Sequence, residues 1–472
     1  MTPPALRLPT TGLTAKEASV LHPVRSPRCL FVLLLLVSQP LFAVDEYHYS
    51  GKLLQVERSG DPQVVKQFDL YCLGRSDDGG TRLFFSVDER GGGAWAWPER
   101  FGESVLNAGG KRVGGRPAHI LHTFQDTKYP VELPSPVFEY ADRLSANAVW
   151  KVGERDWEVR GQKKIGDHDC WQVAAVDKFG RPQSYFVATG SNLVVAAERR
   201  VFMGRGDEFR LQIELTAWKP LGEDDGKQAT TAAEVLLQIQ SALERPEGTT
   251  RPELSAAQLS SVAEKLDGAV TATKGTRLAP LAEAISRDVR SQQDRDGNLD
   301  RLAQRFVGKP APAFSLPTLN RKTVSSDSQK GRVTVLHFWE YRGEPLEEPY
   351  GQVGYLDYLA NRRGRLDVDV IGVAVNEEFG APGTSGTALR STRKLRDFMN
   401  LSYPIATDAG DIVRQFGDPR QFKAELPLWV VVGADGKIAH YHVGNYQIKA
   451  DEGLRELDAV VVKLVREKKS TE

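Results

Sequence analysis

The side chains of this chain that are best suited to redox chemistry are its three cysteines, Cys29, Cys72 and Cys170. A disulfide reductase needs one thiolate to attack and a second thiol to resolve the mixed disulfide, and a peroxiredoxin needs at least one thiolate. Cys72 and Cys170 lie about 100 residues apart and form no Cys-x-x-Cys centre, and no cysteine follows Cys170 in the 472 residues. The sequence therefore predicts no thiol chemistry in the C-terminal part of the chain.

Carboxylates crowd one short stretch, where they are candidates for general acid and base catalysis. They are Glu340, Glu344, Glu347 and Glu348, with Arg342 beside them. No nucleophile or metal ligand accompanies them, which general acid–base chemistry would need here. Carboxylates near a helix N-terminus stabilise the helix by a few tenths to about 1 kcal/mol, so a structural role is sufficient to explain them.

Five of the eight histidines are considered as metal ligands, in two pairs and one single position. His440 and His442 are two apart on a predicted strand and share one face, His119 and His122 form the second pair, and His337 lies on another strand. A zinc site needs a third ligand that the sequence does not place. We interpret these histidines as packing or surface residues, and we predict no metal and no other cofactor.

The element that must position the carboxylates is the stretch 331–349, Gly-Arg-Val-Thr-Val-Leu-His-Phe-Trp-Glu-Tyr-Arg-Gly-Glu-Pro-Leu-Glu-Glu-Pro. Its first part is apolar at nearly every position, which is typical of a strand buried on both faces. After Trp339 the residues become charged and compatible with a helix. A strand that leads into a helix N-terminus is where α/β proteins place their active sites.

This stretch resembles the strand and active-site turn of thioredoxin-like proteins, especially the exported reductases related to the alkyl hydroperoxide reductase and thiol-specific antioxidant superfamily. In that family Phe-Trp is followed, after three further residues, by Cys-x-x-Cys. Counted from Phe338-Trp339, the two cysteine positions fall on Gly343 and Leu346. The resemblance thus implies a thioredoxin-like scaffold with a degenerate active site that carries no redox cysteine.

The rest of residues 307–472 extends the resemblance to about a third of the chain. The pattern predicts a second buried parallel strand at 368–376. The resemblance implies a further strand that begins with the family's cis proline, here Pro427, and turns at Asp435-Gly436 into a hairpin partner. Helices are predicted at 347–363, 389–399 and 453–466. The resemblance also implies an apolar groove for extended peptides, formed by Trp339, Tyr341, Leu426, Pro427 and Trp429.

The composition and net charge bear on the kind of partner that the chain could bind. The chain has 40% hydrophobic and 26% charged residues and a formal net charge of zero, which is ordinary for a globular protein. Bulk electrostatics therefore gives no support for a nucleic-acid or anionic-membrane partner. The length predicts two or three domains.

Residues 1–44 are predicted to be a signal peptide. Cys29 to Val37 is an apolar core of nine residues, preceded by Arg25 and Arg28 and followed by Ala43 as a cleavage end. An uncleaved N-terminal anchor is the alternative, because Leu41 is larger than processing sites prefer. Either alternative places residues 45–472 outside the cytoplasm, in the periplasm or the extracellular space.

Export affects the interpretation of Cys72 and Cys170. An oxidising compartment favours a structural disulfide between them. Two separate buried thiols are the alternative, because nothing in the sequence fixes their distance.

Residues 45–220 alternate as strands do, with Gly, Pro, Asn and Asp between the runs, and predict an antiparallel β domain. Within it, 161–200 is similar to the consecutive hairpins of the curved half-barrel of periplasmic lipoprotein carriers. That resemblance implies a concave face able to hold an apolar ligand. The alternative is a sheet closed by its own helix over 133–148.

Residues 221–306 are predicted to be a helical spacer, with a charged linker at 222–228 and helices at 232–243, 255–266, 278–290 and 299–306. Ser255 is the expected N-cap of the second helix. Residues 294–300, Asp-Arg-Asp-Gly-Asn-Leu-Asp, have alternate carboxylates, but the glycine stands at the fourth position of the loop and not at the sixth. We interpret them as a solvated turn between two helices and not as a calcium loop.

The sequence therefore predicts an N-terminal antiparallel β domain, a helical spacer and a C-terminal thioredoxin-like α/β domain. The favoured function is an exported, redox-inactive binding or structural module with a protein or peptide partner. The alternatives are a thiol–disulfide oxidoreductase or peroxiredoxin that uses Cys72 or Cys170, and a carrier of an apolar ligand in the β domain.

Overall fold

The computed structural model describes residues 43–471 except 57–61, 78, 92, 244–252, 342–351, 447 and 449–452. The predicted signal segment up to residue 42 lies outside the described residues. So do Gly343 and Leu346, together with Arg342, Glu344, Glu347 and Glu348.

The N-terminal part is built on one antiparallel sheet of eleven strands in the order β5-β4-β3-β2-β1-β13-β12-β11-β10-β9-β8. The strands are β1 (Ala43–Gln55), β2 (Gln63–Asp77), β3 (Gly80–Glu89), β4 (Phe101–Asn107), β5 (Arg112–Gly115), β8 (Val149–Val152), β9 (Arg155–Ile165), β10 (His168–Val176), β11 (Pro182–Ala188), β12 (Val194–Met203) and β13 (Asp207–Pro220). The predicted antiparallel sheet is confirmed. The half-barrel resemblance stays a prediction.

One face of this sheet is covered by the hairpin of β6 (His119–Phe124) and β7 (Thr127–Glu132) and by the chain that follows it. Ile120, Val131 and Phe138 are buried in one cluster with the sheet residues. The predicted helix over 133–148 is wrong, since its only helical turn is a short 3-10 turn at Ala141–Arg143. Pro134 and Pro136 explain this, because each proline lacks an N–H donor and disfavours the helical conformation in the residue before it.

The opposite face is covered by three helices, α1 (Glu223–Ser241), α2 (Ala256–Thr273) and α3 (Ala279–Phe306). Their buried residues form one cluster with residues of β1 to β4, so the helices are packed on the sheet. Ser255 is the N-cap of α2, as predicted, and its hydroxyl accepts a hydrogen bond from the Gln258 N–H.

Two predicted irregular segments are helical. The expected linker 222–228 contains the start of α1, where Glu223, Asp224 and Asp225 form an acidic first turn that the helix dipole favours. The expected turn at 294–300 lies inside α3, which is continuous over 28 residues. Gly297 weakens a helix by only about 1 kcal/mol and does not end it without a proline or a cap.

The C-terminal part holds a five-stranded mixed sheet in the order β18-β17-β16-β19-β20. Its elements are the small hairpin β14 (Ser315–Pro317) and β15 (Thr323–Ser325), then β16 (Val333–Glu340), α4 (Val353–Arg363), β17 (Val368–Val375), α5 (Ser385–Phe398), β18 (Ile405–Asp408), α6 (Asp411–Gln415), β19 (Leu428–Val432), β20 (Ile438–Val443) and α7 (Arg455–Thr471). The predicted order of strands and helices is confirmed. The first residues of the predicted helix 347–363 fall outside the described part.

The end of α3 joins the two parts. Leu302 is buried in the C-terminal core, and the Phe306 ring stacks on Tyr441 of β20 with centroids 5.6 Å apart. Beyond the helix, the Gly308 N–H donates to the Ile438 carbonyl at 2.8 Å and the Ile438 N–H donates to the Lys309 carbonyl at 2.9 Å. The chain thus pairs with β20, the edge strand of its own sheet.

None of the helices in the described ranges is long and apolar enough to cross a membrane.

The continuity of α3 at Gly297 can be tested by substitution. Gly297→Ala should raise the free energy of unfolding by about 0.5–1 kcal/mol, because alanine is the better residue inside a helix and the added methyl group meets only the end of the Arg301 side chain at 4.0 Å. Urea titration followed by circular dichroism measures the change.

Gly308→Ala is the matched control. Gly308 lies just past the end of α3 with φ +79° and open space around it, so alanine there should destabilise the fold by about 1 kcal/mol through backbone strain alone. A loss of stability in Gly297→Ala like that in Gly308→Ala would contradict a continuous helix.

Candidate functional site

The candidate site lies at the end of β16, the central strand of the C-terminal sheet. β16 pairs in parallel with β17 and antiparallel with β19. Val335 and Trp339 are buried on one face of the sheet, and Leu336 and Phe338 on the other. This burial on both faces explains the nearly continuous apolar run in the sequence.

Pro427 lies at the same end of the sheet as Trp339. The Leu426–Pro427 peptide bond is cis, as predicted. β19 follows directly, with Leu428 opposite Phe338. The Pro427 carbonyl accepts a hydrogen bond from the Gly444 N–H at 2.7 Å, just beyond β20. The end of β16, the proline and the end of β20 are therefore neighbours.

Most residues of the predicted peptide groove are buried. Trp339 is 1% exposed, Tyr341 4% and Trp429 0%, Pro427 is buried as well, and only Leu426 is partly exposed. Four of the five side chains predicted to form an apolar groove are therefore core residues, and the groove itself stays a prediction. The aromatic rings pack in the core beneath α4 and α7, because a strand covered by helices turns its large side chains inward.

The return of the chain into α4 is held by a residue that the sequence did not single out. Gln352 is buried with φ 67°. Its amide donates to the Tyr446 carbonyl at 2.7 Å and accepts from the Tyr446 N–H at 2.9 Å. This pair of bonds ties the start of α4 to the segment after β20. No sequence pattern reveals it, because a glutamine before a helix usually lies in solvent.

A cluster of aromatic rings and imidazoles lies behind this contact. The buried His337 ring stacks on Trp429 with centroids 3.8 Å apart. Trp429 in turn packs edge-on against Tyr446 at 5.3 Å. Tyr446 also stacks with His442 at 4.2 Å, and its hydroxyl lies 2.7 Å from His440 Nε2. These three histidines are packing residues of one cluster.

The remaining histidine pair makes no site. His119 and His122 both lie on β6, where residues three apart point to opposite faces of a strand. The His122 ring packs edge-on against Phe209 at 5.4 Å. Across the described ranges, no group of three or more His, Cys, Asp or Glu side chains is placed to hold a metal ion.

Charged groups border the same end of the sheet. Arg420 forms a salt bridge with Asp418 at 2.7 Å. The hydrogen bond from Arg420 to Asp418 raises the pKa of the arginine, and the nearby charges of Glu340 and Glu377 act in the same direction. Of the carboxylates singled out in the sequence, Glu340 is the one within the described residues, and it is half-buried.

Cys72 and Cys170 are separate buried thiols. Cys72 on β2 lies in the core between the sheet and the β6–β7 hairpin, and Cys170 on β10 belongs to a different cluster. Four strands lie between β2 and β10 in the sheet. Of the two alternatives that the sequence left open, the structure has the separate thiols, because the two cysteines lie too far apart along the sheet for a disulfide. Burial raises the pKa of both thiols, which keeps them protonated and weakly nucleophilic.

Comparison with known proteins agrees with this architecture. Residues 306–457 match the Redoxin family model. The C-terminal region is a thioredoxin-like domain. A thiol-disulfide oxidoreductase ResA of Bacillus thuringiensis subsp. konkukian is 24% identical over 159 residues, which are 34% of this chain and 78% of the relative. A ResA of Bacillus anthracis is 24% identical over 151 residues, covering 31% and 75%.

Solved structures give similar matches over the same share of the chain. A thiol:disulfide interchange protein DsbE of Chlorobium tepidum has a TM-score of 0.27 and 19% identity, and the match covers 34% of this chain and 97% of that protein. A secreted disulfide oxidoreductase of Mycobacterium tuberculosis has a TM-score of 0.25 and 20% identity, covering 32% and 96%.

The histidine cluster predicts a pH dependence of stability. Burial lowers the pKa of His440 below the ordinary value of about 6.5, so the unfolded chain binds a proton more readily than the native one. The contribution of His440 is therefore fully present above about pH 6.5 and is lost as the pH falls towards and below its native pKa. Urea titrations between pH 7 and pH 5 should show a falling free energy of unfolding.

His440→Gln should make this fall less steep. A residual slope is expected, because burial lowers the pKa values of His48 and His122 in the same direction. An unchanged slope in the variant would show that His440 takes no part.

Proposed function

We propose that this chain is an exported protein whose thioredoxin-like domain performs no thiol–disulfide exchange and acts as a binding or structural module. The observation that carries the proposal is that residues 171–472 contain no cysteine. The Redoxin family model matches residues 306–457 within this cysteine-free stretch, and relatives named thiol-disulfide oxidoreductase match the chain over 159 residues. An exchange reaction needs a thiolate at the site, and this domain has no residue that can provide one.

The competing oxidoreductase function would have to use Cys72 or Cys170. Both thiols are buried in the N-terminal sheet, and their raised pKa values oppose formation of a thiolate. Neither belongs to the cluster of buried residues around Trp339 and Pro427. These facts favour a function through non-covalent contacts.

The structural side of the proposal is supported by the junction with α3. Leu302 and Phe306 pack on the C-terminal core, and the residues after α3 pair with β20. A domain that has lost its chemistry would be retained if it stabilises the rest of the chain through such contacts.

The binding side concerns the Pro427 end of the sheet. Since the large aromatic rings there are buried, a protein or peptide partner would contact the half-buried residues Glu340, Arg420 and Leu426. Leu426 offers an apolar contact beside charged groups of both signs, a combination suited to the rim of a peptide site.

Export is supported by the sequence of residues 1–44 alone. The apolar core from Cys29 to Val37 with two preceding arginines is typical of a signal peptide.

The absence of exchange is tested with insulin reduction in the presence of dithiothreitol. The protein should not accelerate insulin reduction beyond dithiothreitol alone, and Cys72→Ser and Cys170→Ser should change nothing. Both thiols should react slowly with Ellman's reagent in the native state and rapidly in denaturant, because burial hinders access. Turnover that is lost in either serine variant would overturn the proposal.

The double substitution Gly343→Cys and Leu346→Cys is the matched positive variant. If the family's spacing from Phe338-Trp339 holds, the two new cysteines form a pair and should give dithiothreitol-dependent insulin reduction at least tenfold above the background. No gain in the double variant would show that these positions do not correspond to the family's cysteines.

The docking of a partner is tested with a photo-crosslinking phenylalanine derivative at Leu426. The control site is Phe398, which is 89% exposed at the end of α5, where the helix leads back to the start of β18 and thus to the opposite end of the sheet. Light should attach a defined partner at Leu426 only, and excess unlabelled protein should compete. Identical products at both sites, or none at either, would remove the docking function.

A further inference from the structure

The N-terminal sheet encloses a cavity of about 400 Å³. It lies between the sheet face that carries Leu70 and Phe85 and the covering chain over 133–140. This volume is within the range of small-molecule sites, about 300–1,000 Å³. The cavity lies in the sheet part of the chain, so a ligand bound there is independent of the function proposed for the thioredoxin-like domain.

One part of the cavity wall is apolar. Its buried hydrophobic residues include Leu70, Leu83, Phe85, Phe138 and Trp157. Such a wall favours a ligand with a hydrocarbon body, since each buried methylene group gains free energy by leaving water.

The rest of the wall carries more basic than acidic residues. The basic residues are Lys111, Arg112, Arg155 and Arg199, and the acidic ones are Glu132 and Glu139. Both acidic residues have partners. Glu132 lies 3.9 Å from Arg112, and Glu139 is hydrogen-bonded to the Tyr140 hydroxyl.

Arg155 and Arg199 are half-buried in this wall. Both lie close enough to Tyr185 for their positive charges to lower the pKa of its hydroxyl, against the rise that burial causes. Neither forms a salt bridge with a carboxylate within the described ranges of the chain. Arg155 lies over the Trp157 ring at 5.9 Å, which leaves the edge of its guanidinium group to bind an anion. Two guanidinium groups together are suited to a carboxylate or a phosphate.

Trp157 provides a second, independent indication of a ligand. It is 4% exposed and lines the cavity, and its indole N–H has no acceptor within the described residues. A buried donor without a partner is unfavourable, and an oxygen atom of a ligand would satisfy it. Phe138, Tyr140, Trp150 and Tyr185 pack around this indole ring.

Arg155 also lies on the side of the cavity that opens to solvent. A shallower depression of about 270 Å³ shares Tyr140, Arg155 and Trp157 with the cavity and continues to Lys178 and Phe179. Phe179 is 67% exposed. Arg155 therefore lies between the interior and the solvent, where the polar end of a ligand would remain.

We propose that this cavity binds an amphiphile with one hydrocarbon body and an anionic head group. The body lies against Leu70, Leu83 and Phe85, and the head group binds Arg155 and Arg199 and accepts the Trp157 indole N–H. The carrier of an apolar ligand, which the sequence left as an alternative, thus gains a defined chemistry. A neutral ligand of the same length would leave both guanidinium groups desolvated and unpaired, which is unfavourable.

Isothermal titration calorimetry of the full chain with laurate tests the proposal, with dodecanol as the neutral ligand of equal chain length. Laurate, kept below its micelle concentration, should bind with one site per chain and at least tenfold more tightly than dodecanol. Quenching of tryptophan fluorescence gives a second readout, because Trp157 contacts the head group.

The double variant Arg155→Gln and Arg199→Gln should weaken laurate binding at least tenfold and leave dodecanol binding unchanged. The matched control is Lys164→Gln with Arg205→Gln, which removes the same charge from exposed positions of the same part of the chain and should leave both affinities unchanged. Thermal unfolding verifies that both variants are folded.

Three results would overturn the proposal. The first is no saturable laurate binding to the unaltered protein. The second is equal affinity for laurate and dodecanol, which means that no anionic head group is recognised. The third is an equal loss of laurate affinity in the two double variants, which means that bulk charge and not the cavity attracts the ligand.

Discussion

Burial of two apolar sheet faces is the constraint on which this structure depends. A strand such as β16, apolar on both sides, is stable only if helices cover both faces of its sheet. The N-terminal sheet meets the same requirement with a hairpin on one face and α1 to α3 on the other. Helix α3 serves both parts. Its 28 residues span about 42 Å, with Ile285 packed on the first sheet and Leu302 in the core of the second.

The thioredoxin-like domain keeps the family's scaffold although its sequence carries no cysteine. The cis bond before Pro427 and the mixed sheet remain, while the chain has no cysteine after Cys170. The volume behind the site is filled by His337, Trp429 and Tyr446, and Gln352 ties the start of α4 to the segment after β20. These contacts are packing and hydrogen bonding, so they stabilise the fold regardless of whether electrons pass through it.

The two proposed sites are chemically distinct and lie in different parts of the chain. The Pro427 end of the C-terminal sheet presents Leu426 beside charged residues, which suits a protein segment. The N-terminal cavity combines an apolar wall with Arg155 and Arg199, which suits a small amphiphile. A chain with both sites would be a non-catalytic exported protein that binds an amphiphile in the N-terminal cavity and a protein segment at the C-terminal sheet. Each site can be tested without the other.

Much of the fold could be predicted from the sequence alone. Strand and helix periodicity identified the antiparallel sheet and the helices, because these patterns are local. The thioredoxin-like domain was identified by its resemblance to a known family. The lack of cysteine after Cys170 was enough, without any structure, to predict that this domain has no thiol chemistry. Local sequence patterns did not predict where α1 begins or that α3 is continuous. The acidic start of α1 and the glycine within α3 both resembled loops, although packing made them helical.

Only the tertiary structure decided which side chains are accessible and which meet. Trp339 and Trp429 are large aromatic residues of the kind that lines a peptide groove, but the helices packed on them make them core residues. Cys72 and Cys170 could form a disulfide as far as the sequence shows, but four strands of the sheet lie between β2 and β10, which carry them. The cavity brings Arg155 of β9 together with Arg199 of β12, although two other strands lie between β9 and β12 in the sheet. No sequence spacing encodes these relations, because burial and proximity depend on how distant segments pack.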